Sequence, residues 1–389
     1  MELAARMGEL KKESAFVVLA KARELERQGR DIIHLEIGDT DFDTPRHIVE
    51  EAYAQLLAGQ THYVASAGLP ELREACAEFL RRDGRGEYRP EEIVIGPGGK
   101  SLLFCTIMAG VDPGAEVVYP DPGFGVYESV IRFSGARPVA VPVLEANDFK
   151  VTAQDLRDRV NDRTRLLIVN YPHNPTGGTL ELGDLYQIAQ VAVEYDLIVL
   201  SDEVYASMLF EGTHTSLATL PGMRERTITL ESLSKTYAMT GWRLGFAAAP
   251  VSIAGELTQL LSNSVSCVPP FIQMAGVRAL LGSQEDSREM MAAFKERRDL
   301  FVSGLNEIPG ISCLTPRGAF YAFPNVAALP ITADEFSDYL LEEAGVATLP
   351  GSAFGAHSDD HIRMCFAHST QKLEAALERI SSAVESVSG

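Results

Sequence analysis

Short apolar runs alternate with helix-length amphipathic stretches along the middle of this 389-residue chain. Seven runs are predicted strands, at residues 92–96, 116–119, 138–141, 165–170, 197–200, 227–230 and 244–248. Several are apolar at consecutive positions, as expected for strands that are buried on both faces. Helices are predicted at residues 70–82, 100–110, 124–134, 182–195, 252–263 and 269–282. This alternation indicates a doubly wound α/β domain built on a largely parallel sheet.

The two ends of the chain have a different character. Near the start, Thr44 and Pro45 predict a helix cap followed by a proline at the first helical position, with the helix ending near Gly59. After residue 283 the pattern predicts a smaller α+β domain, with helices at 284–307, 333–344 and 370–386 and strands at 320–323 and 361–366. We therefore expect a large domain at 41–283, a small domain at 284–389, and a segment 1–40 that packs on the small domain or on a partner subunit.

Composition narrows the function classes. A net charge of −20 argues against binding to nucleic-acid phosphates. The five cysteines are scattered and the histidines lack ligand spacing, which favours reduced thiols and no metal site. The N-terminus has no signal-peptide core, and no apolar run approaches the ~18 residues of a membrane helix. We expect a cytoplasmic protein.

The segment 231–246 contains Lys235 beside hydroxyl groups of Ser232, Ser234 and Thr236, with Arg243 eight positions later. An amine next to anion-binding hydroxyls and a guanidinium can form a Schiff base close to a bound phosphate. A surface lysine in a polar loop is the simpler interpretation. Predicted strands enclose this loop on both sides, which favours the interpretation that Lys235 forms a Schiff base near a bound phosphate.

A second glycine-rich segment, 96–101, follows a strand and opens a helix. Its backbone N–H groups can hold a phosphate at the helix N-terminus, although a tight turn explains the same glycines. The Gly99-Lys100-Ser101 ending is also found in nucleotide-binding P-loops. That pattern requires a glycine where Val94 stands, so its spacing is not satisfied.

Three more polar groups follow or lie within predicted strands. Asp202 ends a buried strand, where it can bind Mg²⁺, pair with a cationic ring nitrogen or simply cap a helix, and Tyr205 follows one turn later. Asn174 lies in the rigid loop 170–178, which either binds a ligand oxygen or is purely structural. His173 is interpreted as a loop contact. Arg363 lies in an alternating strand, where it either recognises a carboxylate or faces solvent.

Taken together, these motifs resemble the class I/II aminotransferases, pyridoxal-phosphate enzymes of fold type I. The resemblance spans essentially the whole chain in order, through the segments 38–45, 63–68, 98–100, 121–124, 174–177, 201–205, 232–235 and 241–243 and the late Arg363. It implies a large doubly wound domain with a mostly parallel seven-stranded sheet and a smaller α+β domain. It also implies cis peptide bonds before Pro122 and Pro175.

The resemblance assigns roles around the cofactor ring. Lys235 would hold pyridoxal phosphate as an internal aldimine and then move the substrate proton. Asp202 would pair with the ring nitrogen, which keeps the ring an electron sink. Asn174 and Tyr205 would hydrogen-bond the ring oxygen, and Phe124 would stack on the ring face.

The resemblance also implies a phosphate cup, a substrate clamp and a partner. The cup would contain Gly99, Lys100 through its backbone, Ser232, Ser234 and Arg243. Tyr63 would reach the phosphate of the other subunit, so a homodimer is implied. Arg363 would bind the substrate α-carboxylate with help from the Gly38 N–H and the Asn174 amide. The substrates implied are a small-molecule amino acid and a 2-oxo acid.

Two departures concern the substrate. Thr40 replaces a proline common in the family, and Phe16 stands where some relatives with acidic substrates have threonine. The sequence also places no second arginine on a side-chain carboxylate, which argues against an aspartate enzyme.

The leading hypothesis is a ping-pong transaminase. The alternatives are a lyase, cyclase or oxidase with the same catalytic set, and a non-catalytic regulator, for which 389 residues leave no room for a DNA-binding module.

Overall fold

A computed structural model describes residues 4–389 and confirms the α/β prediction. The strands are β1 Ile33–His34, β2 Ile93–Gly96, β3 Glu116–Asp121, β4 Arg137–Pro142, β5 Thr164–Asn170, β6 Ile198–Asp202, β7 Thr227–Ser232, β8 Gly245–Ala248, β9 Tyr321–Ala322, β10 Val346–Ala347, β11 Leu349–Pro350 and β12 Ile362–Cys365. The helices are α1 Ser14–Arg27, α2 Arg46–Leu57, α3 Pro70–Arg82, α4 Gly99–Gly110, α5 Val126–Phe133, α6 Ala153–Arg157, α7 Leu182–Glu194, α8 Leu233–Thr236, α9 Val251–Ser264, α10 Pro270–Leu281, α11 Glu285–Glu307, α12 Ala333–Tyr339 and α13 Thr370–Ser388.

All seven predicted strands join one sheet, in the order β2-β8-β7-β6-β5-β3-β4. The strands from β7 to β4 run parallel, whereas β8 is antiparallel to both of its neighbours. Asn170, at the end of β5, pairs with Asp202, which in turn pairs with Leu230 of β7. Ligands bind in such sheets at the carboxyl ends of the strands, so this edge is where a site is expected.

Helices cover both faces of the sheet. In β5, Leu166 and Ile168 pack with α4, α5 and α9, whereas Leu167 and Val169 pack with α6 and α7 on the other face. Side chains alternate across a strand, so a run of consecutive apolar residues serves both layers. This explains why consecutive apolar positions identified the strands correctly.

The C-terminal part has its own core and two small sheets. β11, β12 and β9 form an antiparallel sheet, and β1 pairs in parallel with β10. Phe294 and Phe301 of α11 pack with Phe336 of α12 and with α13. Segment 1–40 thus contributes one strand to this part, and its first three residues lie outside the described residues. Across residues 4–389 no helix has the length and apolar character needed to cross a membrane.

Two helix predictions were wrong in detail. α2 begins at Arg46 and Pro45 is its N-cap residue, because the Thr44 hydroxyl donates to the Ala238 carbonyl oxygen (2.6 Å) instead of capping the helix. The predicted helix 333–344 ends as an α-helix at Tyr339 and continues as a π-helical turn, Leu340–Ala344. The helix α1 was not predicted. The elements β1, α6, α8, β10 and β11 were also not predicted, since they are too short to show a period.

Candidate active site

A cavity of about 440 Å³ opens at the carboxyl ends of β5, β6 and β7. Of the predicted site residues, all but one line it: Gly38, Gly99, Lys100, Phe124, Asn174, Asp202, Tyr205, Ser232, Ser234, Lys235, Arg243 and Arg363. The exception is Tyr63, which lies after α2 with 87% of its surface exposed. Its predicted role concerns a second subunit and stays a prediction.

Lys235 lies in the short helix α8, immediately after β7. Its Nζ donates a hydrogen bond to the Gly38 carbonyl oxygen. Burial lowers the pKa of this amine to about 8, with smaller contributions from Arg363 and Arg243. A lysine with such a pKa is about one-tenth neutral at pH 7, far more than an ordinary lysine, and the neutral form is the one that attacks a carbonyl carbon.

One end of the cavity is built to hold an anion. The Oγ atoms of Ser232 and Ser234 lie 2.9 Å apart, next to the N-terminus of α4 at Gly99. Arg243 has a left-handed backbone (φ 55°), and its guanidinium packs against Gly98, where a Cβ atom would lie 2.4 Å from Nη2. Two hydroxyls, a guanidinium and a helix N-terminus fit the phosphate of pyridoxal phosphate.

Asp202 is a buried carboxylate without a cationic partner. Its Oδ2 accepts a hydrogen bond from the Tyr127 hydroxyl (2.6 Å), and Oδ1 accepts one from the Val204 N–H (3.4 Å). Burial raises its pKa to about 6, while the Tyr127 hydrogen bond opposes that rise. Within the described residues no basic side chain forms a salt bridge with it. Asp202 therefore fits a cofactor ring whose protonated nitrogen would supply the missing positive charge.

Tyr127 and Tyr321 are site residues that the sequence reasoning missed. Tyr127 lies three residues after Phe124, a spacing that places two side chains on one side of a helical turn and could have revealed it. The Tyr321 hydroxyl lies 2.8 Å from that of Tyr205. A Cβ atom on Gly38 would lie 2.0 Å from the Tyr321 oxygen, so position 38 requires glycine.

Arg363 reaches the cavity from β12 and is 4% exposed. Its Nη1 donates to Asn174 Oδ1 (3.1 Å), and Nη2 donates to the Glu36 carbonyl oxygen. The guanidinium carbon lies 4.3 Å from the Tyr321 ring centre and 4.8 Å from that of Phe354. In the described part of the chain it forms no salt bridge, and its buried Nε lacks a hydrogen-bond acceptor. A buried guanidinium with spare donors fits a substrate carboxylate.

Lys100 turns its side chain to the rim of the cavity, where Nζ pairs with the Glu13 carboxylate. The ammonium also lies 5.5 Å from the ring centre of Phe16 and 5.4 Å from that of Phe124. The side chain therefore points away from the anion cup, in agreement with a contribution to that cup through the backbone alone.

Beneath the cavity, the 170–178 loop is held by internal contacts. His173 is buried, its Nδ1 lies 2.8 Å from the Thr176 hydroxyl, and burial lowers its pKa to about 3. It is a loop contact, as predicted. The bonds before Pro122 and Pro175 are both cis, as the resemblance implied, and so is the bond before Pro172.

A reactive amine, an anion cup and an unpaired aspartate around one cavity describe a pyridoxal-phosphate enzyme of fold type I. The family model described as aminotransferase class I and II matches residues 30–380, and the chain belongs to that family. It is therefore a pyridoxal-phosphate-dependent transaminase, and the lyase, cyclase and oxidase alternatives are not favoured.

Similar proteins agree with this assignment. An aspartate aminotransferase of Pyrococcus abyssi is 43% identical over 90% of this chain and 91% of that protein. A probable aspartate/prephenate aminotransferase of Aquifex aeolicus is 40% identical over 99% of both chains. The solved structure of the Thermus thermophilus aspartate aminotransferase with maleate has a TM-score of 0.94 at 37% identity, covering 98% of this chain and 100% of that one. An aromatic aminotransferase from Pyrococcus horikoshii has a TM-score of 0.89 at 41% identity, over 94% and 99%.

Proposed function

We propose that Lys235 would hold pyridoxal phosphate through its side-chain amine and would then move the proton of the substrate α-carbon. Bound pyridoxal phosphate supplies an electron sink for the negative charge at that carbon. Asp202 would face the ring nitrogen, Asn174 and Tyr205 would hydrogen-bond the ring oxygen, and Phe124 would lie against the ring. Gly99, Ser232, Ser234 and Arg243 hold the phosphate.

The observation that carries this proposal is that Lys235, in the helix after β7 of the large sheet, and Arg363, in β12 of the small antiparallel sheet, line the same cavity. Arg363 holds the α-carboxylate together with Asn174 and the Gly38 N–H, which brings the α-carbon to the lysine amine. The test is a half-reaction with one amino acid and no 2-oxo acid. Accumulation of the pyridoxamine form with release of one 2-oxo acid supports transfer. Ammonia release, or loss of a side-chain group without the pyridoxamine form, contradicts it.

For the donor we propose a dicarboxylic amino acid of the aspartate type. Lys100 is a further cation on the cavity wall, and it already pairs with a carboxylate of the chain, that of Glu13. A substrate side-chain carboxylate can take the place of Glu13 on the same ammonium. A second arginine is then not needed to bind the side-chain carboxylate of the substrate. Several relatives are also named aspartate aminotransferases.

An aromatic donor is the second candidate, because Phe16, Phe124 and Tyr321 give the same cavity an apolar wall. Half-reactions of aspartate and phenylalanine with the wild type and Lys100→Met decide between the two. For an aspartate enzyme, Lys100→Met raises the KM for aspartate by about tenfold and leaves phenylalanine unchanged or improved. If the wild type prefers phenylalanine and Lys100→Met leaves the KM of both substrates unchanged, the aromatic donor is supported instead.

We further propose a homodimer in which Tyr63 reaches the cofactor phosphate of the partner subunit. Its support is the exposed surface on and after α2, which includes Tyr53, Leu57 and Tyr63. The test mixes Lys235→Ala protein with Tyr63→Ala protein under exchange conditions. A mixed dimer regains one intact site only if Tyr63 acts across the interface, so recovery of activity supports the proposal and no recovery contradicts it.

The domain division and location are also proposals. Residues 41–283 would form the cofactor domain and 284–389 the small domain, with segment 1–40 joined to the latter. The β1–β10 pairing and the separate core of α11, α12 and α13 support this division. All five cysteines are unpaired, which fits a reducing compartment such as the cytoplasm.

A further inference from the structure

We propose that Arg85 is a positioning residue for the cofactor: its guanidinium joins the two chain segments that carry Asp202 and Ser232. The inference rests on the roles proposed above for those two residues. Arg85 does not line the cavity, so any effect on the cofactor must pass through its partners.

Arg85 is among the most buried large side chains, at 1% exposure. Its Nε donates to Glu203 Oε2 (3.0 Å), and its Nη1 donates to Glu231 Oε2 (2.6 Å). Both carboxylates are themselves buried. One guanidinium therefore bridges an acidic side chain just after β6 and one within the neighbouring strand β7.

Each acidic partner is the immediate neighbour of a cofactor-site residue. Glu203 follows Asp202, and its N–H donates to the Leu230 carbonyl oxygen in β7 (2.9 Å). Glu231 precedes Ser232, and its Oε1 accepts a hydrogen bond from the Ser232 N–H (2.8 Å). A displacement of either carboxylate therefore reaches the ring-binding aspartate or the anion cup through one peptide unit.

The turn that carries Arg85 is built to aim it inward. Gly84 (φ +68°) and Gly86 (φ +118°) flank it, and both have backbone conformations that other residues rarely adopt. The Arg85 N–H donates to the Leu80 carbonyl oxygen (2.8 Å), which ties the turn to the end of α3. The turn thus fixes the backbone of Arg85 against the end of α3.

The two carboxylates depend on Arg85 to different degrees. Glu203 also contacts the hydroxyls of Ser201 (2.8 Å) and Ser216 (2.7 Å) and His214 Nε2 (3.0 Å). Burial alone would raise its pKa, but His214 and Arg85 hold it down at about 2. For Glu231, burial raises the pKa to about 7 in spite of Arg85, and its other hydrogen bond is to the Ser232 N–H. Loss of Arg85 therefore disturbs the Ser232 side most.

The experiment compares holoenzymes carrying Arg85→Met, Arg85→Lys and the control Arg298→Met. Arg298 is a buried arginine of α11 that donates to the Pro316 carbonyl oxygen and lies outside the cavity. The readouts are the dissociation rate of pyridoxal phosphate, the visible circular dichroism of the bound cofactor, and the melting temperature of the cofactor-free protein. The dichroism reports ring orientation, which a purely structural role leaves unchanged.

For Arg85→Met we expect about tenfold faster cofactor dissociation and altered dichroism, because two charge-assisted hydrogen bonds are lost. Arg85→Lys keeps the charge but cannot span both carboxylates, so its dissociation rate and dichroism should lie between those of Arg85→Met and the wild type. Arg298→Met should leave both readouts at the wild-type value. Wild-type dissociation and dichroism in both Arg85 variants, with only the melting temperature lowered, overturns the inference. If Arg85→Met does not fold, Arg85→Gln, which keeps hydrogen-bond donors but carries no charge, takes its place, and the same two readouts decide. A wild type that binds no cofactor refutes the proposed function instead.

Discussion

The two sides of the active-site cavity are held in different ways. Asp202 and Ser232 end neighbouring strands of one continuous sheet, so ladder hydrogen bonds set their spacing. Arg363 comes from a separate antiparallel sheet and is fixed by Asn174 and by the Glu36 backbone, which are far away in sequence. Under the proposed roles, Asp202 and Ser232 on the cofactor side belong to one sheet, whereas Arg363 on the substrate side lies where two sheets and the N-terminal segment meet.

This difference predicts separable effects. Changes on the large-sheet side should alter the cofactor's spectrum, retention or reactivity. Changes on the Arg363 side should alter substrate affinity and leave the cofactor bound. Three variants test the separation, from the largest expected effect to the smallest.

Asp202→Asn should reduce kcat by about 100-fold or more while KM changes little, because a neutral amide no longer stabilises a protonated ring nitrogen. Steady-state kinetics and the spectrum of the bound cofactor measure this. Asp196→Asn, at an exposed surface position, is the control. A variant with normal kcat would mean that Asp202 is only a buried structural carboxylate.

Arg363→Lys should lower kcat/KM by about 30-fold, or about 2 kcal/mol, mainly through a higher KM. Lysine keeps the charge but loses the paired donors that fit a carboxylate. Cofactor dissociation, measured in parallel, should match the wild type. Loss of the cofactor from this variant would break the proposed separation between the two sides.

Tyr127→Phe should have a smaller effect, about tenfold or less on kcat. The Tyr127 hydrogen bond holds the pKa of Asp202 down, so its removal raises that pKa. Since the ionised carboxylate is the active form, the acid limb of the kcat profile should move to higher pH. Tyr119→Phe, at a buried tyrosine of β3 outside the cavity, should leave the limb in place.

The difference between the large-sheet side and the Arg363 side of the cavity also explains which features the sequence could predict. The seven strands were readable because consecutive apolar residues are required when helices cover both faces of a sheet. Asp202, Lys235 and Asn174 were readable because they lie at the end of such strands or within four residues after it. Tyr321 and Glu13 were not, because their contacts join residues separated by more than 80 positions, and no local period records such contacts.

Arg85 illustrates this limit on the large-sheet side. It sits between two glycines in a turn after a helix, where a polar residue ordinarily faces solvent. Only the fold brings its guanidinium into contact with Glu203 and Glu231, which lie 118 and 146 positions away in the sequence. For Arg363, the sequence pattern did indicate a strand. It did not show that the side chain points into the cavity, because that direction depends on the contact with Asn174.

The central claim is that Lys235 is the amine that bonds the cofactor. The most direct test is borohydride reduction of the holoenzyme, followed by digestion and peptide mass spectrometry. A single pyridoxyl-modified peptide containing Lys235, and no modified peptide from Lys235→Ala, is the predicted result. Modification at Lys100 instead, or a reducible adduct that persists in Lys235→Ala, would contradict the account.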